Sequence, residues 1–271
     1  MINVLHVLDI AGVPSILSHF HTKYGYGNSD IVFHKKNNFS YNISTFYGGK
    51  LFKKFRDLII YVLLKSKNYD VIHIHGAETL VPIFKITGKK IVLHYHGSDI
   101  NQKERSLNKK RIFCRSLADL IIYNGKNMEK NIITFRNVPK KFLPNPIDTE
   151  HFHPRKNTRS HNLSFISDNL DKEETVKSIE TFGKTEIIDL DKQQILYSCM
   201  PDFLSKFETY VDIKIMPWGY TLPDLSTTAL QALSCGCNVY HNGIFLKIFP
   251  NEHNPTHTLK QLNSFYREFL I

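Results

Sequence analysis

Short β-branched runs recur through the first half of the chain with helical stretches between them, and no other feature restricts the fold as much. Such alternation is the pattern of βαβ units, whose strands lie parallel in one sheet with helices on its faces. Strands are predicted at 3–8, 30–33, 71–75, 90–95 and 120–123. The first runs into Asp9-Ile10-Ala11-Gly12-Val13-Pro14, where Gly12 suits a tight strand-to-helix turn and Pro14 the opening turn of a helix. Doubly wound sheets collect their ligands at such turns, beyond the carboxyl ends of the strands.

Residues 141–154 (KFLPNPIDTEHFHP) break this pattern with three prolines and little strand or helix period, and they read as a linker between domains. A fainter alternation follows, with strands at 163–167, 185–190, 209–215 and 238–240. Residues 255–270 carry Leu259, Leu262, Phe265, Tyr266 and Phe269 at helical spacing, with Asn254 as cap and Pro255 at the first position. A chain of 271 residues with 42% hydrophobic content can supply cores for one large or two small domains.

The longest apolar run, LIIYVLL at 58–64, is far short of the roughly 20 residues that a membrane-spanning helix requires. The opening MINVLHVLDI reads as a strand rather than a signal sequence, and four cysteines without CxxC spacing fit reduced thiols; the expected location is cytoplasmic. A formal charge of +10 attracts anions, whether nucleic acid, acidic headgroups or phosphorylated small molecules. No zinc-finger or RNP-like motif is present, so nucleic acid is not an expected partner.

YDVIHIHGA (69–77), IVLHYHGSDI (91–100), LADLIIYNG (117–125), FLPNPIDTEHFHP (142–154) and LSTTALQALSCGCNVYHNG (225–243), taken together and in this order, resemble glycosyltransferase family 4. The first two are similar to the middle strands of that family's N-terminal domain, and the third to its last. FLPNPIDTEHFHP (142–154) is similar to its interdomain hinge, and LSTTALQALSCGCNVYHNG (225–243) to its donor-binding helix and following strand. The resemblance implies a GT-B fold, an α/β architecture of two Rossmann-like domains with parallel sheets facing across a cleft. Residues 1–144 would form the acceptor-side domain and 145–271 a shortened nucleotide-sugar-binding domain, its terminal helix 255–270 packing back on the first. It further implies a retaining transfer from a nucleotide sugar, with no metal ion and no separate cofactor. Two carboxylates of the family pattern are missing, their places falling on Pro223 and Gln231. The Gly-Arg and Lys positions that steady the diphosphate fall near Ser167 and Asp168, with Lys172 close to the lysine.

The resemblance places His96 at the donor sugar, as the residue expected to matter most for the transfer, with Ser98 and Asp99 directly after it. Substrate contacts are also expected from Gly12, Asn145, Lys172, Lys214, Ser226, Thr227, Thr228 and Gln231. A metal-free enzyme must stabilise the departing diphosphate with amides, hydroxyls and cations. Ser226-Thr227-Thr228 open a predicted helix whose amide end would suit phosphate, although Ser226 also reads as a plain N-cap. Lys214 lies at the end of a predicted strand that leads toward that helix. Gln231 can still accept a hydrogen bond from a ribose hydroxyl, more weakly than a carboxylate would.

His73 and His75, like His94 and His96, form H-x-H pairs that strand alternation places on one face. Without a carboxylate cluster nearby they read as strand histidines, and no metal site is assigned. Residues 50–67 hold six basic side chains against one acid around an apolar stripe of Phe52, Phe55, Ile59 and Leu63. A basic amphipathic helix of this kind can lie on an anionic membrane surface and bring the chain to a lipid-linked acceptor; packing on the sheet with a solvated basic face is the alternative. A GT-B-fold protein that binds a nucleotide or partner without catalysis is the competing functional reading.

Overall fold

A computed structural model describes residues 1–34, 38–97, 100, 108–132, 137–157, 159–217 and 219–270. The chain divides into two compact units, one made of Met1–Pro146 with Pro255–Ile271, the other of Ile147–Asn254. The C-terminal helix thus belongs to the first unit.

The first unit holds a seven-stranded sheet in the order β3-β2-β1-β4-β5-β6-β7. Its strands are β1 (Val4–Val7), β2 (Ser29–His34), β3 (Lys50–Phe52), β4 (Val71–His75), β5 (Lys90–Tyr95), β6 (Leu120–Tyr123) and β7 (Lys140–Phe142). Every pairing is parallel. Helices α1 (Val13–Lys23), α2 (Asn38–Phe46), α3 (Phe55–Lys65), α4 (Val81–Lys85), α5 (Lys109–Ser116), α6 (Glu129–Ile132) and the terminal Pro255–Leu270 belong to it. One face of the sheet packs Leu5, Val7, Ile72, Ile74, Leu93 and Ile121 with Leu58 and Val62 of α3. The other packs Val4, Val71, Val92 and Ile122 with Ile16, Leu17 and Phe20 of α1 and Leu259, Leu262 and Tyr266 of the terminal helix.

Two sequence expectations change here. The first residues of the expected linker are strand, because β7 pairs with β6 at the sheet edge. Residues 50–67 are not one helix: 50–52 form edge strand β3, 55–65 form α3, and 66–68 a single tight turn. Gly12 caps α1 with φ 76°, and a Cβ there would stand 2.5 Å from the Ile43 side chain. The positive φ and the room left for a core residue make this the turn glycine that was the plain alternative to a phosphate contact.

The second unit holds a five-stranded sheet in the order β12-β11-β10-β8-β9. It is built from β8 (Asn162–Ile166), β9 (Thr185–Asp189), β10 (Thr209–Val211), β11 (Asn238–His241) and β12 (Ile244–Leu246). All pairs are parallel except β11 with β12, an antiparallel edge hairpin that period alone did not reveal. Helices α7 (Lys172–Glu180), α8 (Met200–Leu204) and α9 (Thr227–Ser234) belong to this unit, and the terminal Pro255–Leu270 is α10. Ile166, Ile179 and Val211 form a small core between β8, β10 and α7.

Candidate functional site

The parallel registers of the first unit turn isolated H-x-H pairs into one assembly. His6 of β1 stands opposite His73 of β4, and His75 of β4 opposite His94 of β5. His96 follows the last residue of β5 on the same face, because side chains alternate along a strand. Neighbouring rings stack: His73 on His75 with centroids 4.3 Å apart, His94 on His96 at 4.2 Å, and His6 on His75 at 5.2 Å.

A chain of hydrogen bonds runs through this ladder. Asn124 Nδ2 lies 3.1 Å from His96 Nδ1, His96 Nε2 lies 2.9 Å from His75 Nδ1, and His75 Nε2 lies 2.9 Å from His6 Nδ1. With the Asn124 amide as donor, each imidazole accepts at Nδ1 and donates from Nε2, which fixes all three tautomers in one direction. The Asn124 amide also donates to Asn145 Oδ1. Deeper in the unit the Tyr266 hydroxyl of α10 donates to His73 Nδ1 across 2.6 Å.

Burial makes these rings poor bases. It lowers His6 and His96 to about 3, with a smaller contribution from His21 in the case of His6. His73, His75 and His94 are held well below the usual imidazole range, first by burial and then by their histidine neighbours. All five are neutral at pH 7 and offer orientation, hydrogen bonding or metal ligation, but not positive charge.

The structure therefore joins two of the expected residues, His96 and Asn145, through Asn124, which the sequence did not single out. Both ring nitrogens of His96 are engaged, so any ligand that bonds to this ring must displace one of these bonds. Ser98 and Asp99 lie outside the described residues. Asp9, in the loop after β1, accepts from Ser15 at 2.6 Å and from Ser44, and burial pushes its carboxyl up to about 6 against those hydrogen bonds and that of the Gly12 amide. Its place beyond the first strand was the signal that could have found it.

In the second unit the expected phosphate groups are already engaged. Ser226 caps α9, its Oγ accepting from Ala229 N at 3.1 Å and donating to Asp212 Oδ1 at 2.7 Å, while its own amide donates to Asp212 Oδ2 at 3.0 Å. His241 Nδ1 meets the same carboxylate at 3.0 Å. Burial alone would raise Asp212, but hydrogen bonds from His241 and Ser226 and the charge of Lys214 hold it below the usual carboxylate range. A carboxylate thus occupies the positive end of α9, where a diphosphate was expected. Thr227 and Thr228 are half-buried in its first turn.

The Lys214 ammonium donates to the Phe165 carbonyl, and its pKa is lowered by burial against the opposing pull of Asp212. Lys172 lies 2.5 Å from Asp168, 2.9 Å from Asp189 and 3.3 Å from Asp191, and the hydrogen bond to Asp168 leads in raising its pKa. Its charge is thus matched by carboxylates. Gln231 is 5% exposed on the inner face of α9, where it offers an acceptor only inside the packed unit. Asp148 forms a local turn, its carboxylate accepting from the Glu150 and His151 amides at 3.0 Å.

Residues 18–151 match the family model described as Glycosyltransferase Family 4. Solved structures that the chain resembles include AviGT4, a glycosyltransferase involved in avilamycin A biosynthesis, with TM-score 0.59 and 11% identity over 100% of this chain and 98% of that one. They include UDP-GlcNAc 2-epimerase from Neisseria meningitidis bound to UDP-GlcNAc, at 0.51 and 9% over 99% and 94% of the two chains. A glycosyltransferase from Rickettsia africae ESF-5 stands at 0.51 and 8%, over 99% and 89%. No curated sequence matches the chain. At such identities the likeness speaks for the fold, which is GT-B.

Proposed function

Since this chain has the GT-B fold and is similar to glycosyltransferase family 4, we propose that it moves a sugar from a nucleotide-sugar donor to a glycan, lipid-linked or other acceptor, with retention of configuration and without a metal ion at the diphosphate. The observation that carries this reading is His96, set just beyond β5 at the carboxyl end of a parallel sheet and tied through Asn124 to Asn145. In a retaining transfer the diphosphate departs on the face that the acceptor approaches, so the chain gains most by orienting the sugar and stabilising developing charge. A neutral imidazole held from two sides is suited to the first task.

A thermal-shift series of nucleoside diphosphates in excess chelator tests it. Uridine nucleotides head the series because a protein of similar fold was solved with UDP-GlcNAc. At about 100 times the dissociation constant a bound nucleotide adds about 2.7 kcal/mol, which raises the melting temperature by several degrees. A shift that appears only with added divalent ion would overturn the metal-free reading.

A second reading, a binding protein of the same fold without transfer, is favoured by the second unit. Lys172 is engaged by three aspartates, Asp212 occupies the start of α9, and the missing carboxylates are replaced by Pro223 and Gln231. Release of nucleotide from a panel of donors, with and without acceptor, separates the two: nucleotide binding without turnover would establish the second.

For the acceptor, we place the chain at an anionic, lipid-bearing surface through the region around α3. Leu58 and Val62 face the core, and Phe52, Ile59 and Leu63 of the expected apolar stripe pack half-buried against it, so most of the stripe lies on the sheet; Phe55, Ile60 and Leu64 are exposed, as are Lys53, Lys54 and Arg56. Changing Lys53, Lys54 and Arg56 to Gln should weaken binding to phosphatidylserine vesicles by about 1 kcal/mol per charge. Equal sedimentation of the folded variant and the parent at low salt would end this assignment. No helix among the described residues is long and apolar enough to cross a membrane.

A further inference from the structure

Five histidines from three adjacent strands share one side of the first sheet, and the proposed transfer uses only the outermost. Among the described residues, His6 Nε2, His73 Nε2 and both ring nitrogens of His94 are buried without a hydrogen-bond partner. A neutral imidazole has one donor and one acceptor, and leaving either buried and unmatched costs on the order of 1–3 kcal/mol. A core needing only to be filled would carry valine or isoleucine here, as Val71 and Val92 do on the same face.

Two triads have ligand atoms within 4.8 Å of one another: His6 with His73 and His75, and His75 with His94 and His96. Nitrogen ligands of a tetrahedral ion stand roughly 3.4 Å apart, given metal–nitrogen bonds of about 2.0–2.1 Å. Both sets, with ligand atoms no more than 4.8 Å apart, lie close to that spacing. The inner triad is enclosed, and Tyr266 already occupies His73 Nδ1, so a divalent charge would lie in the core with no water or carboxylate to offset it. The outer triad differs. His75 Nδ1 and His96 Nε2 already face each other at 2.9 Å, His94 has both nitrogens uncommitted, and His96 is half-buried at the strand end.

We propose that His75, His94 and His96 form a binding site for one transition-metal ion of the imidazole-seeking class, Zn2+ or its series neighbours Co2+, Ni2+ and Cu2+, with a fourth position open to water. Three imidazoles select these ions over Mg2+ and Ca2+, which demand oxygen ligands. His75 already accepts at Nδ1 and donates from Nε2 to His6, the tautomer that ligation needs. His96 ligates through Nε2 once its proton sits on Nδ1, where the carbonyl of a rotated Asn124 amide accepts it while the Asn145 amide, turned likewise, donates to the same oxygen; the bond to His96 Nδ1 is the outer hydrogen bond that ligating histidines commonly make. No net proton is released, because each ring stays neutral. The ion and a sugar hydroxyl compete for His96, so the site belongs to the protein without donor, and no ion is proposed for the diphosphate step.

The test uses untagged full-length protein, first stripped with chelator, then titrated with Co2+ and with Zn2+ by calorimetry and absorption. Expected are one tight equivalent and the intense visible bands of four-coordinate Co2+, bleached by one equivalent of Zn2+. His94→Ala should weaken Zn2+ by more than the roughly 10–100-fold that follows loss of an outer-shell partner. His153→Ala, at an exposed position, should leave it unchanged. Should His94→Ala fail to fold, the Co2+ spectrum of the parent still decides: only weak six-coordinate bands, or no saturable binding, overturns the site. Tight binding that survives His94→Ala but is lost in His6→Ala overturns it as well, by moving the ion to the inner triad.

Discussion

Lowering the pH of the metal-free protein from about 7.5 to about 5.5 is expected to remove several kcal/mol of its stability. The cause is the buried histidine ladder. His6 and His96 titrate at about 3 in the folded chain, and His73, His75 and His94 also lie well below the free value of 6.5. Between those values the unfolded chain takes up protons that the folded chain refuses. The stabilising contribution is therefore complete above pH 6.5 and is lost as pH falls. A histidine titrating at about 3 costs about 1.4 kcal/mol by pH 5.5, so His6 and His96 account for about 3 kcal/mol, and His73, His75 and His94 act in the same direction.

Asp9 works the other way. Its carboxyl is raised to about 6 from 3.8, so the folded state binds that proton first and regains about 1 kcal/mol at pH 5.5. One carboxyl does not offset five imidazoles, and the loss is large beside the 5–15 kcal/mol that holds a typical domain. Urea unfolding at several pH values in chelator, monitored by circular dichroism, checks this. A midpoint that stays constant down to pH 5.5 would mean that the rings are solvated or charged in the folded state, and the ladder would have to be abandoned. His94→Leu, which removes one titrating ring from the core, should flatten the dependence.

The second large effect concerns the transfer. His96→Ala should lower its rate on the order of 10 to 1,000-fold, as losing about 1.4 to 4 kcal/mol of transition-state stabilisation predicts, and leave nucleotide affinity nearly unchanged. The ring is neutral and held between His75 and Asn124, so in the proposed transfer it would serve to orient a hydroxyl. His96→Gln, which keeps a donor and an acceptor, should recover part of the rate. His94→Ala, deeper on β5 and touching neither Asn124 nor Asn145 by hydrogen bond, should act mainly on stability. Full activity in a folded His96→Ala protein would take His96 out of the site; loss of nucleotide binding would put it at the donor's other end.

The sequence located the strands that carry this chemistry because their signal is local. Val71–His75, Lys90–Tyr95 and Leu120–Tyr123 stand where their β-branched runs begin and end, and the terminal helix spans Pro255–Leu270 as its apolar spacing requires. The edge strands Lys50–Phe52, Lys140–Phe142 and Ile244–Leu246 were not legible. Three residues are too few to show a period, and such strands exist because a neighbour offers free backbone groups. A helix reading of 50–67 failed for the same reason: its basic composition continues past the point where Lys50–Phe52 pairs with β2.

By itself the sequence determined that His73 and His75, and likewise His94 and His96, would share a face, since alternation along a strand is a property of the backbone. That the two pairs meet each other and His6 was decided by strand order and register, which depend on the crossover from β4 to β5 and on the far longer stretch of chain between β1 and β4. The same holds for the charges of the second unit. Lys172 and Ser226 were visible as a cation and a cap; Asp168 lies four residues before Lys172, but the other carboxylates come from distant strands, Asp189 at the end of β9 and Asp191 just after it to Lys172, and Asp212 just after β10 to Ser226. Whether a polar group is free to meet a ligand is set by neighbours distant in sequence, and only the folded chain places them.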